Sequence, residues 1–152
     1  MAPAFDSFDH EAYMEAAFDL AREAADRGDR PFGSVLVHDE EIIMRESNRV
    51  VTEDDVRRHP ELHIAHRACR ELDPETRPET VMCTSTEPCP MCSGGMRYAE
   101  LGRVVYSVGS DEIVEFAGGE IPVRSADILD GITEVVGPVA NEAGRAIHEA
   151  FW

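Results

Sequence analysis

At 152 residues, 43% of them hydrophobic, the chain is the size of one domain with apolar side chains enough for one core, which predicts a single folding unit over 1–152. Its 31 acidic residues outnumber 14 basic ones for a formal charge of -17, a balance that argues against nucleic acid, whose phosphates need clustered Lys and Arg. No apolar run is long enough to span a bilayer, and the opening MAPAFDSFDHEAYMEAA has neither a basic leader nor an apolar core with a cleavage signal.

Taken in chain order, His10 to Arg27 carries the apolar periodicity of a helix, with Asp9 at its start and Gly28 at its end. FGSVLVHDEEIIMRESN predicts a hairpin, one strand from Gly33 to His38 and another from Glu41 to Ser47, turned at Asp39-Glu40. VTEDDVRR is expected to be a loop. A helix follows Pro60 to about Leu72, with Leu62, Ala65, Cys69 and Leu72 as its core stripe and His66 at the border. DPETRPE leads out of it to a short buried strand from Val81 to Ser85, a helix from Pro90 to Ala99, and a strand in GRVVYSV. Gly109 to Gly131 reads as a loop with helical turns near Glu112 and Ala126. A strand from Thr133 to Val136 and a helix from Asn141 to Phe151 close the chain. Strands alternating with helices predict an α/β fold, a mixed sheet covered on both faces.

Cys89 and Cys92 form a lone C-x-x-C between a strand and a helix. A buried thiol pair or a redox centre is the plain alternative to a metal site. The helix starting at Pro90 turns unpaired N–H groups toward both sulfurs and favours thiolates, which are still one or two ligands short for zinc. His59-Pro60 repeats the grammar of Cys89-Pro90, a ligand followed by a proline suited to the first helical position. Two helices whose N-termini converge can hold one ion with His59, Cys89 and Cys92, leaving a fourth position open as catalytic sites do. Glu61 falls in the first turn of the same helix, where a carboxylate can take up a proton and hand it on. The string HPELH is not the H-E-x-x-H of metalloproteases, so His63 is placed on the pocket wall and His66 at the core edge. Cys69 and Cys83 are read as buried thiols.

HPE at 59–61 and EPCPMC at 87–92 resemble the H-x-E and P-C-x-x-C signature of the zinc-dependent cytidine deaminase superfamily, and the likeness runs from RPFGSVLV through SNRV to GRVVY. It is nearest to the branch of guanine deaminases, fungal-type cytosine deaminases and tRNA adenosine deaminases. The resemblance implies a three-layer α/β/α fold around a mixed five-stranded sheet, Zn²⁺ on His59, Cys89 and Cys92, Glu61 as the catalytic proton shuttle, and a homodimer or tetramer. It implies that Asn48, otherwise a turn residue bonding its own backbone, meets the base, that Phe32 packs on a flat ring, and that Asp111 or Glu112 touches the leaving amine or ring edge. Trp152 is expected to pack against this or a neighbouring subunit and to help close the pocket, while Glu87 is read as structural. The expected reaction is hydrolytic deamination of a small nucleobase or nucleoside, guanine first, cytosine or a tRNA adenosine as alternatives, with a non-catalytic zinc-stabilised protein as the reading from a different class. Acids spread from Asp6 to Glu149 predict a solvated coat on a protein of a high-salt cytoplasm, rather than a face for one cationic partner.

Overall fold

The computed structural model describes residues 8–152, so Asp6 and the rest of the first seven positions of the opening stretch lie outside it. Helix α1 (His10–Arg27) begins where Asp9 accepts from the Ala12 N–H and ends on Gly28, whose φ of 97° suits a residue without Cβ. Strands β1 (Gly33–His38) and β2 (Glu41–Ser47) pair antiparallel, and the turn between them holds Asp39 and Glu40 at φ 50° and 65°. Gly33 lies against the backbone of α1, where a Cβ would overlap the Ala17 carbonyl oxygen.

The VTEDDVRR segment is not wholly a loop, because helix α2 (Val50–Glu53) opens it. Its cap is remote in sequence: Asp29 Oδ1 accepts from the N–H groups of Val51 and Thr52 at 3.0 and 2.9 Å. Helix α3 (Pro60–Glu71) follows, and the connection after it includes a short 3₁₀ turn at Arg77–Glu79. From that turn the Arg77 guanidinium donates to the carbonyls of Ala68, Cys69 and Leu72, satisfying the open end of α3. Strand β3 (Val81–Thr86), helix α4 (Pro90–Ala99) and strand β4 (Arg103–Val108) then run close to their predicted bounds. The expected loop after β4 contains a full two-turn helix, α5 (Ser110–Ala117), and a single turn, α6 (Ser125–Ile128). Strand β5 (Glu134–Val136) and helix α7 (Asn141–Phe151) complete the chain.

The five strands form one sheet in the order β2-β1-β3-β4-β5, antiparallel on both sides of β1 and parallel from β3 to β5. Alternation along the strands divides the core between its faces. Leu36, Met82 and Val104 pack with Ile64, Ala65 and Ala68 of α3 and Met96 and Ala99 of α4. Val35, Val37, Val81, Cys83 and Val105 pack on Met14, Ala17 and Phe18 of α1, with Ile147 of α7 alongside. The result is the expected α/β/α layering.

The inward stripe of α3 differs from the predicted one. Glu61, Ile64, Ala65 and Ala68 are buried, whereas Cys69 and His66 are exposed and Leu62 is half-buried. The reason lies at the helix start: a rotation that brings Glu61 inward carries the i+3, i+4 and i+7 positions with it and turns Cys69 to solvent. Cys83 is buried as expected, with its thiol pushed up to about 12 by burial.

Candidate active site and metal centre

The parallel strand β3 delivers its C-terminal end to the sheet edge where α3 and α4 begin. His59 is the N-cap of α3 and Cys89 the N-cap of α4, each followed by proline at the first helical position. Neither side chain caps its own helix; they face one another instead. Cys89 Sγ lies 3.5 Å from Cys92 Sγ, and His59 Nδ1 lies 3.7 Å from Cys89 Sγ and 3.6 Å from Cys92 Sγ. Tetrahedral zinc with ordinary bond lengths requires edges of about 3.8 Å between sulfurs and about 3.5 Å between sulfur and nitrogen, so the observed triangle fits the ion. These are the described residues whose His, Cys, Asp and Glu donors cluster closely enough to hold a metal.

The electrostatics match. A hydrogen bond from the Cys92 thiol, joined against burial by one from His59, holds the Cys89 thiol down to about 4. Cys92 is pushed up by sharing that proton and by burial. One negative charge therefore already sits at the helix N-termini, and a dication stabilises the second thiolate. Glu61 is 5% exposed, and burial followed by the Cys89 charge pushes its carboxyl up to about 7. Ser34 of β1 donates to its Oε1 at 3.4 Å and is itself tied to Thr84 at 2.7 Å, so the carboxylate is held from the sheet side.

His59, Glu61 and Cys89 border a cavity of about 330 Å³. Phe32 and Thr86 add wall from the sheet, Ile113, Val114 and Ala117 from α5, and Pro122 and Glu120 from the segment beyond, with Arg30 at the rim. The α5 wall is pinned by Glu87, whose buried carboxylate accepts from the Ser110 N–H at one end of the segment. At the other end it accepts from the Ser125 N–H, the Ser125 hydroxyl and the Arg124 guanidinium. Burial opposes that charge, yet these donors hold Glu87 down to about 2. Glu87, read from sequence as structural, holds both ends of this segment and also borders the cavity.

Residues 8–136 match the MafB19-like deaminase family. The chain belongs to that deaminase family. Relatives fall on several substrates within one superfamily. A probable cytosine deaminase of Schizosaccharomyces pombe is 30% identical over 93% of this chain and 91% of its own length. A tRNA-specific adenosine deaminase of Bacillus subtilis is 34% identical over 93% of this chain and 88% of its own. The solved guanine deaminase of B. subtilis is 33% identical with a TM-score of 0.66, covering 75% of this chain and 73% of that one. As a deaminase of this superfamily the protein is a zinc-dependent hydrolase, and its His59, Cys89 and Cys92 cluster is suited to the catalytic ion.

The remaining predicted residues of this deaminase take different places. Phe32 lines the cavity. Asn48 is 1% exposed but stands outside the lining; its Oδ1 accepts from the Val50 N–H at 3.1 Å, the turn bond open to it from sequence, while its carbonyl accepts from Arg27 at 2.8 Å. Asp111 is half-exposed and 3.4 Å from Arg124. Glu112 accepts from the Gly109 N–H, Asn141 and Arg145, joining α5 to α7. Trp152 is 43% exposed, donates to His148 and lies beneath the Arg30 guanidinium at 5.9 Å. His63 borders a separate surface recess with Arg58 and His66. Sequence reading pointed to the backbone of Ser85 to Glu87 but missed the Thr86 side chain, His148 and Arg30. A signal for His148 existed, since it sits four residues before Trp152 on one helix face.

Proposed function

We propose that this deaminase acts on a free nucleobase, guanine first and cytosine second, with Glu61 as the catalytic proton carrier. The observation that carries the reading is a buried Glu61 beside the His59, Cys89 and Cys92 triad in a small, largely apolar cavity. Bound zinc supplies a water of lowered pKa and a Lewis acid. Glu61, raised to about 7, is matched to carry two protons in turn near neutral pH, one from the attacking water to a ring nitrogen and a second from the new substrate hydroxyl to the departing amine. Phe32 packs against the face of the ring, and Ile113 and Val114 exclude bulk water. Asn48, fixed by Arg27 and by its bond to Val50 beyond the cavity lining, keeps its side-chain NH₂ for the base contact that the family likeness implies.

Guanine is favoured by the B. subtilis structure, and cytosine by the S. pombe relative that matches nearly end to end. A tRNA substrate is disfavoured by the surface: near the α3 start Arg57 is paired to Asp55, Arg58 to Glu53, and Arg67 to Glu46 and Glu71. Among the described residues no helix is long and apolar enough to cross a membrane; a high-salt cytoplasm suits the charge of -17. Exposed Tyr98 and Val56 supply apolar surface for a second copy in a homodimer. Ammonia release is measured from guanine, cytosine, adenine, their nucleosides and an anticodon-arm RNA, using zinc-loaded protein in high salt. Guanine is expected to be fastest; folded, zinc-loaded protein that releases none from any of them overturns the reading.

A further inference from the structure

Behind Phe32 the cavity wall contains a chain of three polar side chains separate from the zinc ligands and Glu61. His148 of α7 is 1% exposed, stacked on Phe116 at 5.6 Å and tilted against Phe32 at 5.9 Å. Burial, with Arg145 adding to it, pushes its pKa down to about 4, so the ring is neutral and carries one proton. An indole N–H can only donate, and Trp152 Nε1 lies 3.0 Å from His148 Nδ1. Nδ1 therefore accepts, and the ring proton resides on Nε2, 3.4 Å from Thr86 Oγ1. The Thr86 hydroxyl receives that proton's hydrogen bond. Among the described residues its own proton has no acceptor, and Thr86 borders the cavity.

We propose that Thr86 is a specificity-determining residue whose Oγ1–H donates to a carbonyl oxygen or unprotonated ring nitrogen of the bound heterocycle, with His148 and Trp152 as positioning residues that fix its direction. The assignment rests on the nucleobase reading above. It gives the C-terminal tryptophan a task at a distance: as long as Trp152 donates to Nδ1, His148 cannot accept from Thr86, and the hydroxyl has no competing acceptor to turn toward. A ring edge that presents oxygen or a bare nitrogen gives the Thr86 proton its acceptor, whereas one that presents N–H can use only the hydroxyl's second lone pair, leaves that proton unpaired and is bound more weakly.

The test uses zinc-loaded full-length protein and the base that releases ammonia fastest. Thr86→Val is expected to lower kcat/KM about tenfold, chiefly through KM, with zinc content unchanged and Tm lowered by the stranded His148 N–H, and Thr86→Ser to return both to near the parent, kcat/KM within about threefold. Trp152→Phe keeps an aromatic ring but removes the donor. Nitrogen-15 NMR should then show His148 populating the Nδ1–H tautomer, absent in the parent, together with a rise in KM. A parental KM in Thr86→Val, or an Nδ1–H tautomer in the unmodified protein, overturns the assignment while leaving the deaminase reading in place. Ammonia from no base removes the deaminase reading and the substrate of this assignment with it; the tautomer spectrum still reports on the Trp152–His148 contact itself.

Discussion

Asp29→Asn probes whether one buried carboxylate holds the turn that carries Asn48. Asp29 is fully buried and accepts four bonds: from the N–H groups of Val51 and Thr52 through Oδ1, and from the Thr52 hydroxyl at 2.9 Å and Arg27 Nε at 2.8 Å through Oδ2. Arg27 extends the network to Ser47 Oγ at 2.9 Å and the Asn48 carbonyl at 2.8 Å. The amide keeps one oxygen for the two backbone donors but sets an NH₂ group against Arg27 and Thr52. One charge-assisted bond is lost and Arg27 loses its counter-charge, a cost of about 2–3 kcal/mol after allowing for rehydration of the guanidinium, whose side chain is 26% exposed. For a chain of this length that corresponds to a fall in Tm of about 5–10 °C. Burial raises the Asp29 pKa, but the Thr52 N–H and the Arg27 side chain outweigh it and hold the group below its ordinary 3.8. Its contribution is therefore complete above the unfolded value and fades as pH falls through the folded one, so the gap between variant and parent narrows in acid. Calorimetry of both proteins at pH 7, zinc-loaded, and again below pH 3.8, with KM for the active base at neutral pH, checks both parts. A Tm within about 1 °C of the parent at pH 7, or a gap that widens on acidification, refutes the assignment.

Glu61→Gln is expected to cut turnover at least about a hundredfold while zinc content stays stoichiometric; unchanged ammonia release in a stopped assay rules out Glu61 as the proton carrier. Cys92→Ser removes a buried thiolate from the triad and should leave the protein below one zinc after dialysis against chelator, with a lower Tm than the parent, both read directly by elemental analysis and calorimetry. His148 is buried neutral with its pKa near 4 against an ordinary 6.5, so the stability it contributes is present above 6.5 and is lost as pH falls toward 4. In His148→Gln, urea titrations at pH 7 and pH 5 should differ by about 2 kcal/mol less than in the parent, and an equal difference in the two proteins contradicts a buried neutral imidazole.

The elements most legible in the sequence are those whose stop signals are local. Gly28 ends α1, Pro60 and Pro90 open α3 and α4, and the Asp39-Glu40 turn sets the hairpin, all within a few residues of the structure they govern. α2 was hidden because its cap, Asp29, lies more than twenty positions upstream. α5 carries a readable stripe, Ile113, Val114 and Ala117, but that stripe faces the cavity rather than the main core and lies among acids before a Gly118-Gly119 break. Cys69 differs for the same kind of reason: the apolar stripe of α3 is displaced by a carboxylate, Glu61, that is buried beside the metal triad.

That division runs through the site itself. The metal triad and Glu61 come from two helix starts with one shared grammar, and because a proline fixes each start, two short motifs suffice to read them. The opposite wall is assembled from contacts that span much of the chain. Glu87 reaches Ser110 and Ser125, Glu112 reaches Asn141 and Arg145, and Thr86 meets His148 across 62 positions. On the proposed reading, reaction chemistry is written locally and recognition in tertiary packing, and the relatives of this chain carry cytosine, guanine and tRNA adenosine in their names. Substitutions at Thr86, Ile113 or Val114 should consequently redistribute activity among bases with zinc content intact, whereas changes at His59, Cys89 or Cys92 should lower it on every base alike.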